Sequence, residues 1–157
     1  MAKLQLKSEW KIWLSFGGLF VIIAVYLYMV SRPPMEGGEY LWTVTKVLDG
    51  RNLSLKGSGN VIKFRLIGLQ IPASQEQAAR EFLTKSLEDQ WVRIKTSREE
   101  PDGVKEGFVY LSGEDMIARM IRQGLAKVDV EEKSVDVRPY IELEQEAKRE
   151  KRGLWRQ

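Results

Sequence analysis

The chain has 157 residues, 43% of them hydrophobic and 30% charged, which is the composition of one globular domain and excludes a wholly disordered chain. It has no cysteine and no histidine, which excludes a disulfide framework, a thiolate nucleophile, a Ser-His-Asp triad and the usual zinc ligands. With 25 Lys and Arg against 22 Asp and Glu the net charge is +3, too small to mark a nucleic-acid partner by itself.

The apolar residues crowd near the start. Residues 1–11 form a short basic flank with Lys3, Lys7 and Lys11. Residues 12–30 (IWLSFGGLFVIIAVYLYMV) then run for 19 residues without a charge. As a helix that stretch is roughly 28 Å long, close to the hydrocarbon thickness of a bilayer. Trp10 and Trp13 at one end and Tyr26 and Tyr28 at the other sit where interfacial anchors belong. The expectation is an uncleaved transmembrane signal anchor. A cleaved signal peptide competes, but the run exceeds a usual h-region and no small-x-small site follows it. Three lysines precede the run, whereas Arg32, Glu36 and Glu39 follow it. That asymmetry places the N-terminus in the cytoplasm and residues 40–157 on the extracytoplasmic (or equivalent organellar) side. Pro33-Pro34 stops the helix, and residues 31–39 read as a linker.

The folded domain is expected over 40–157. Leu41 to Leu48 alternates as a half-buried strand, and Asp49-Gly50 is a hairpin signal. Asn52 to Lys56 is a short strand, Gly57 to Asn60 a second turn, and Val61 to Ile67 a third strand rich in β-branched residues. Ser74 and Gln77 suggest a capping box before a helix whose apolar stripe is Ala79, Phe82, Leu83 and Leu87. Gln90 to Thr96 returns to strand, Arg98 to Lys105 reads as a polar loop, and Gly107 to Leu111 is a fifth strand. Asp115 to Gln123 is a short helix with Gly124 as its C′ residue. Arg138 to Arg152 is the last helix, with Tyr140, Leu143 and Ala147 inward and Gly153 ending it. Phe64, Trp91 and Tyr110 sit at strand positions and are expected to pack in the core. The order β-β-β-α-β-β-α-α predicts a five-stranded OB-type barrel with three helices.

Five segments in this order carry a family resemblance: V-x-K-V-L-D-G (44–50), F-R-L-I-G-L (64–69), F-V-Y-L (108–111), I-R-Q-G-L-A-K-V (121–128) and A-K-R-E-K-R-G-L-W (147–155). In order and spacing they resemble the staphylococcal nuclease (thermonuclease) family, from Trp42 to Trp155. The resemblance implies an OB-fold barrel and, in active members, calcium-dependent hydrolysis of nucleic-acid phosphodiesters. There a hard cation held by carboxylate oxygens polarises the phosphate, a glutamate aligns water, and two arginines clamp the phosphate.

Residue by residue, the chain departs from that pattern. The liganding aspartate of the first motif falls on Arg51, beside a retained Asp49. The second metal aspartate falls on Gln70, and the glutamate falls on Ala73. The first phosphate arginine is retained as Arg65, whereas the second falls on Glu106. A cation at Arg51 repels a metal: two unit charges roughly 4 Å apart cost about 4 kcal/mol at an effective dielectric of about 20, and a divalent ion roughly doubles that. Arg51 and Arg65 could form an anion-binding pair. Alternatively, Arg51 pairs with Glu106 or Asp49 across the former site. The basic tail Lys148, Arg149, Lys151, Arg152 and Arg156 reads as a solvated helix end.

These residues predict a catalytically silent, membrane-anchored module that binds or scaffolds other membrane or extracytoplasmic proteins. A membrane-anchored endonuclease, for which alone calcium is expected, and a non-cleaving nucleic-acid-binding module are the alternatives.

Overall fold

Apolar and hydroxyl side chains alternate along β1 (Leu41–Val47), burying Val44 and Val47 while Thr45 faces water. The computed structural model describes residues 41–156. The expected flank at 1–11, membrane helix at 12–30 and linker at 31–39 lie outside the described residues. Among the described residues no helix is long and apolar enough to cross a membrane.

β1 pairs antiparallel with β2 (Asn52–Gly57), and a register shift between Val44 and Lys46 inserts one extra residue, Thr45. Such a bulge bends the strand and lets the sheet curl. β2 continues into β3 (Asn60–Leu66) in unbroken register from Asn52 opposite Arg65 to Gly57 opposite Asn60. Ser58 and Gly59 both have positive φ, 49° and 83°, as a two-residue hairpin turn that follows the strand twist requires.

A two-residue strand β4 (Leu69–Gln70) leads to α1 (Glu76–Leu87), which buries Ala79, Leu83 and Leu87. The expected capping box between Ser74 and Gln77 does not form. Pro72 opens a 3-10 turn over Ala73–Gln75, in which the Gln75 N–H donates to the Pro72 carbonyl at 2.8 Å. The helix therefore starts at Glu76, and the Gln77 amide donates to Glu81 at 2.9 Å instead.

β5 (Trp91–Glu99) pairs with β1 on one side and with β6 (Lys105–Leu111) on the other. It runs three residues past the expected end at Thr96. A second register shift, between Thr96 and Arg98, carries the pairing through what reads as loop and sets Arg98 opposite Glu106. The parallel pairing of Arg65 with Glu106 and Leu66 with Gly107 joins β3 to β6 and closes the five-stranded mixed barrel. Gly107 has to be glycine there, because a Cβ would stand 2.0 Å from the Lys95 carbonyl oxygen.

A short strand β7 (Glu114–Asp115) turns into α2 (Met116–Arg122). Asp115 caps this helix by accepting from the Ile117 N–H at 2.8 Å. Gly124 follows the helix at φ +67°, as expected of C′. The two-residue strand β8 (Lys127–Val128) pairs with β4. α3 (Arg138–Arg149) buries Tyr140 and Ala147. It ends three residues before Arg152, because Lys151 takes the left-handed conformation and the Arg152 N–H returns to the Ala147 carbonyl at 2.9 Å.

The core joins barrel and helices through Leu53, Leu55, Phe64, Leu66, Leu83, Ile117 and Met120, all fully buried. Each contributes about 1.5–3 kcal/mol of apolar burial. Phe64 packs as expected, but Trp91 does not: its side chain is 63% exposed. Its strand neighbour Val92 is the one turned inward.

Candidate functional site

The turn after β1 is organised by Asp49. Its Oδ1 accepts from the backbone N–H groups of Arg51 at 2.9 Å and Asn52 at 2.8 Å, and the Asn52 amide nitrogen reaches both carboxylate oxygens at 3.0 and 2.8 Å. Burial by itself pushes the Asp49 carboxyl up. The Arg51 N–H, the Asn52 side chain and N–H, and the charge of Arg51 outweigh it and hold the carboxyl below its ordinary value. Gly50 locks this turn onto α1. Its N–H donates to Glu76 Oε1 at 2.6 Å, and a Cβ would meet the Ile71 side chain at 2.8 Å.

From the turn a polar chain crosses the end of the barrel. Asn52 Oδ1 accepts from Arg65 Nε at 2.9 Å. Arg65 Nη1 donates to Glu106 Oε1 at 3.0 Å, and Glu106 Oε2 lies 2.6 Å from Arg98 Nη2. Arg98 then reaches Glu100 at 2.8 Å and Glu132 at 3.4 Å. Burial acts to lower the Arg98 pKa, but Glu106, Glu132 and Glu100 raise it above its ordinary value. Glu132 is held below its ordinary value by hydrogen bonds from the Ser134 hydroxyl and N–H, against burial, with Arg98 adding to them.

Glu106 is 1% exposed and is the one buried charged side chain among the described residues. Its Oε1 accepts the hydrogen bond from Arg65, whereas Oε2 faces Arg98 as a close ion pair without hydrogen-bond alignment.

The residues singled out in the sequence separate in the fold. Arg65 and Glu106 meet directly, and Asp49 joins them through Asn52. Arg51 does not pair with Glu106, whose two oxygens go to Arg65 and Arg98. The bulge in β5 is the physical reason, since it brings Arg98 opposite Glu106. Arg51 Nε is buried without a hydrogen-bond partner. Gln70 donates to Asp129 Oδ1 at 3.0 Å. Ala73 lies exposed at the start of the 3-10 turn. Gln70 and Arg98 line one open cleft of about 580 Å³ with Asp129, Glu131, Glu132, Lys133 and Ser134.

Arg98, Asn52 and Glu76 are the members that motif reading missed. The surplus of polar residues in 98–105 was the only trace of Arg98.

These groups do not fit a calcium ion. Among the described residues no three carboxylates converge on one point. Both Asp49 oxygens are occupied within their own turn, and the neighbouring side chain is the cation Arg51. Arg65 donates its Nε to Asn52 and its Nη1 to Glu106.

No curated protein matches the chain. The family model described as staphylococcal nuclease homologue matches residues 63–157, from β3 through all three helices. That stretch is more than half of the chain and holds Arg65, Gln70, Ala73 and Glu106, so the protein belongs to the staphylococcal nuclease homologue family.

Proposed function

We propose that this protein is a non-hydrolysing member of its family, tethered to a membrane by residues 12–30, whose barrel serves as a protein-interaction or scaffold module on the extracytoplasmic side. The observation that carries the reading is the state of Arg65. The one phosphate arginine that matches the family pattern is bonded to Asn52 and to the buried Glu106. Around it Asp49, Glu100, Glu106 and Glu132 face Arg51, Arg65 and Arg98, four carboxylates against three guanidinium groups. A phosphodiester entering there meets a field already neutralised by side chains. Ala73 supplies no proton acceptor, and Gln70 supplies no charge.

The test is a nuclease assay on the purified full chain in mild detergent, with calcium and with single- and double-stranded DNA and RNA. The expected result is no cleavage above a chain-free control. Cleavage that survives purification and vanishes in Arg65→Ala refutes the proposal in favour of a membrane-anchored endonuclease. Co-purification of a stoichiometric partner from native membranes then tests the scaffold role.

One observation favours a second reading, a nucleic-acid-binding module without cleavage: the buried Nε of Arg51 has no hydrogen-bond acceptor. An Arg51→Ala variant that loses oligonucleotide affinity supports that reading.

A further inference from the structure

The strand register aligns a set of side chains on the exterior of the barrel. Trp91 lies opposite Thr43, Thr43 opposite Lys56, and Lys56 opposite Val61, so the four share one side of the sheet. The row crosses four strands and is about 14 Å wide at about 4.8 Å per strand. Leu41 stands two residues before Thr43 on the same side. A second row holds Lys46, Ser54 and Lys63. Residues on the opposite side of the same strands, Val44, Leu55, Phe64 and Val92, are in the core.

This exterior has two properties at once. Leu41, Val61 and Trp91 are 58%, 64% and 63% exposed. Lys46, Lys56, Lys63 and Lys95 are also exposed. β1, β2 and β3 contain no Asp or Glu, and β5 contains only its last residue, Glu99. A face that is cationic and studded with an aromatic and two aliphatic side chains suits an anionic lipid interface.

We propose that this face is a membrane-docking surface that lays the barrel against the headgroups of an anionic bilayer. The lysines meet lipid phosphates while Trp91, Leu41 and Val61 enter the interface. The proposal rests on the reading of residues 12–30 as a membrane span. The chain enters the described domain at Leu41, within the face itself, and only ten residues, 31–40, separate it from Val30. The eleven chain steps from Val30 to Leu41 span at most about 40 Å, so a membrane span at 12–30 leaves this face within reach of the bilayer. Leu41 and Val61 offer nothing for a base to stack on, which favours lipid over nucleic acid as the occupant.

The absence of cysteine makes the test clean. Full-length chains carrying Val61→Cys or, as a control on the cleft, Lys133→Cys are labelled with an environment-sensitive fluorophore. They are reconstituted into vesicles with and without phosphatidylglycerol, and quenching by spin-labelled lipid is read. The expected result is quenching at position 61 several-fold above that at position 133, strongest with the anionic lipid. Adding Lys56→Gln or Lys63→Gln lowers the docked-to-undocked ratio about five-fold for each lysine. Equal quenching at the two positions in vesicles that carry the chain overturns docking and leaves the membrane span standing. A chain that does not float with the vesicles overturns both. A response at position 61 to single-stranded oligonucleotide, in place of lipid, assigns the face to nucleic acid and overturns the proposal as well.

Discussion

Replacing Glu106 by glutamine keeps the side-chain volume and removes the charge at the centre of the polar chain, so no cavity confuses the result. The carboxylate is 1% exposed, accepts a hydrogen bond from Arg65 at 3.0 Å and forms an ion pair with Arg98 at 2.6 Å. A hydrogen bond to a charged group is worth about 1.5–3 kcal/mol, and glutamine turns an N–H donor towards one of the two guanidinium groups. The arginine side chains are 33% and 42% exposed and regain water when released, which discounts the loss by about half. The expected destabilisation is about 2–3 kcal/mol. Urea unfolding of the full chain in mild detergent, followed by far-UV circular dichroism, reads it as a midpoint lowered by about 1–1.5 M for a slope near about 2 kcal/mol/M. The control is Glu99→Gln, which removes an exposed pair with Lys105 at 3.5 Å and is expected to cost about 0–1 kcal/mol. If Glu106→Gln costs no more than Glu99→Gln, the network does not hold the barrel end together and the reasoning fails.

Three further outcomes test the fold. The Asp49 carboxyl lies below its ordinary value of 3.8 in the folded chain, so its contribution is complete above that value and is lost as pH falls through the lower folded value. Between about pH 5 and pH 2 the urea midpoint should therefore fall more steeply for the wild type than for Asp49→Asn, and parallel curves refute the turn's role. Gly107→Ala forces a Cβ to within 2.0 Å of the Lys95 carbonyl and should cost more than about 4 kcal/mol, seen as loss of the cooperative unfolding transition. An alanine variant as stable as wild type contradicts the close approach of β5 to β6 at Gly107. Tyr140 donates to Asp115 Oδ2 at 2.5 Å, and burial, with that bond and its charge, pushes the hydroxyl pKa well up. Tyr140→Phe should cost about 1–2 kcal/mol and leave the tyrosinate absorbance of the folded chain at about pH 11 unchanged; a drop in that absorbance shows that Tyr140 titrates normally.

Periodicity and turn chemistry are local, and they are what a chain displays without its fold. The alternation in 41–47, the turn at Ser58-Gly59, the apolar stripe of α1 and the glycine after α2 each depend on residues within one turn or one strand. They were readable in the sequence, as was the barrel that their order implies. Arg51, Gln70 and Ala73 were equally readable as departures from a motif, because a motif is a linear pattern. The partner of Glu106 was not. It depends on Ser97 being the extra residue of a bulge, and a bulge is set by the strain of closing one strand against another far away in the chain. That one-residue shift selects Arg98 for the buried carboxylate in place of Arg51, the residue motif reading had suggested. The exposure of Trp91 has the same origin. Trp91 and Val92 are adjacent apolar residues, and only pairing with β1 decides which of them faces the core.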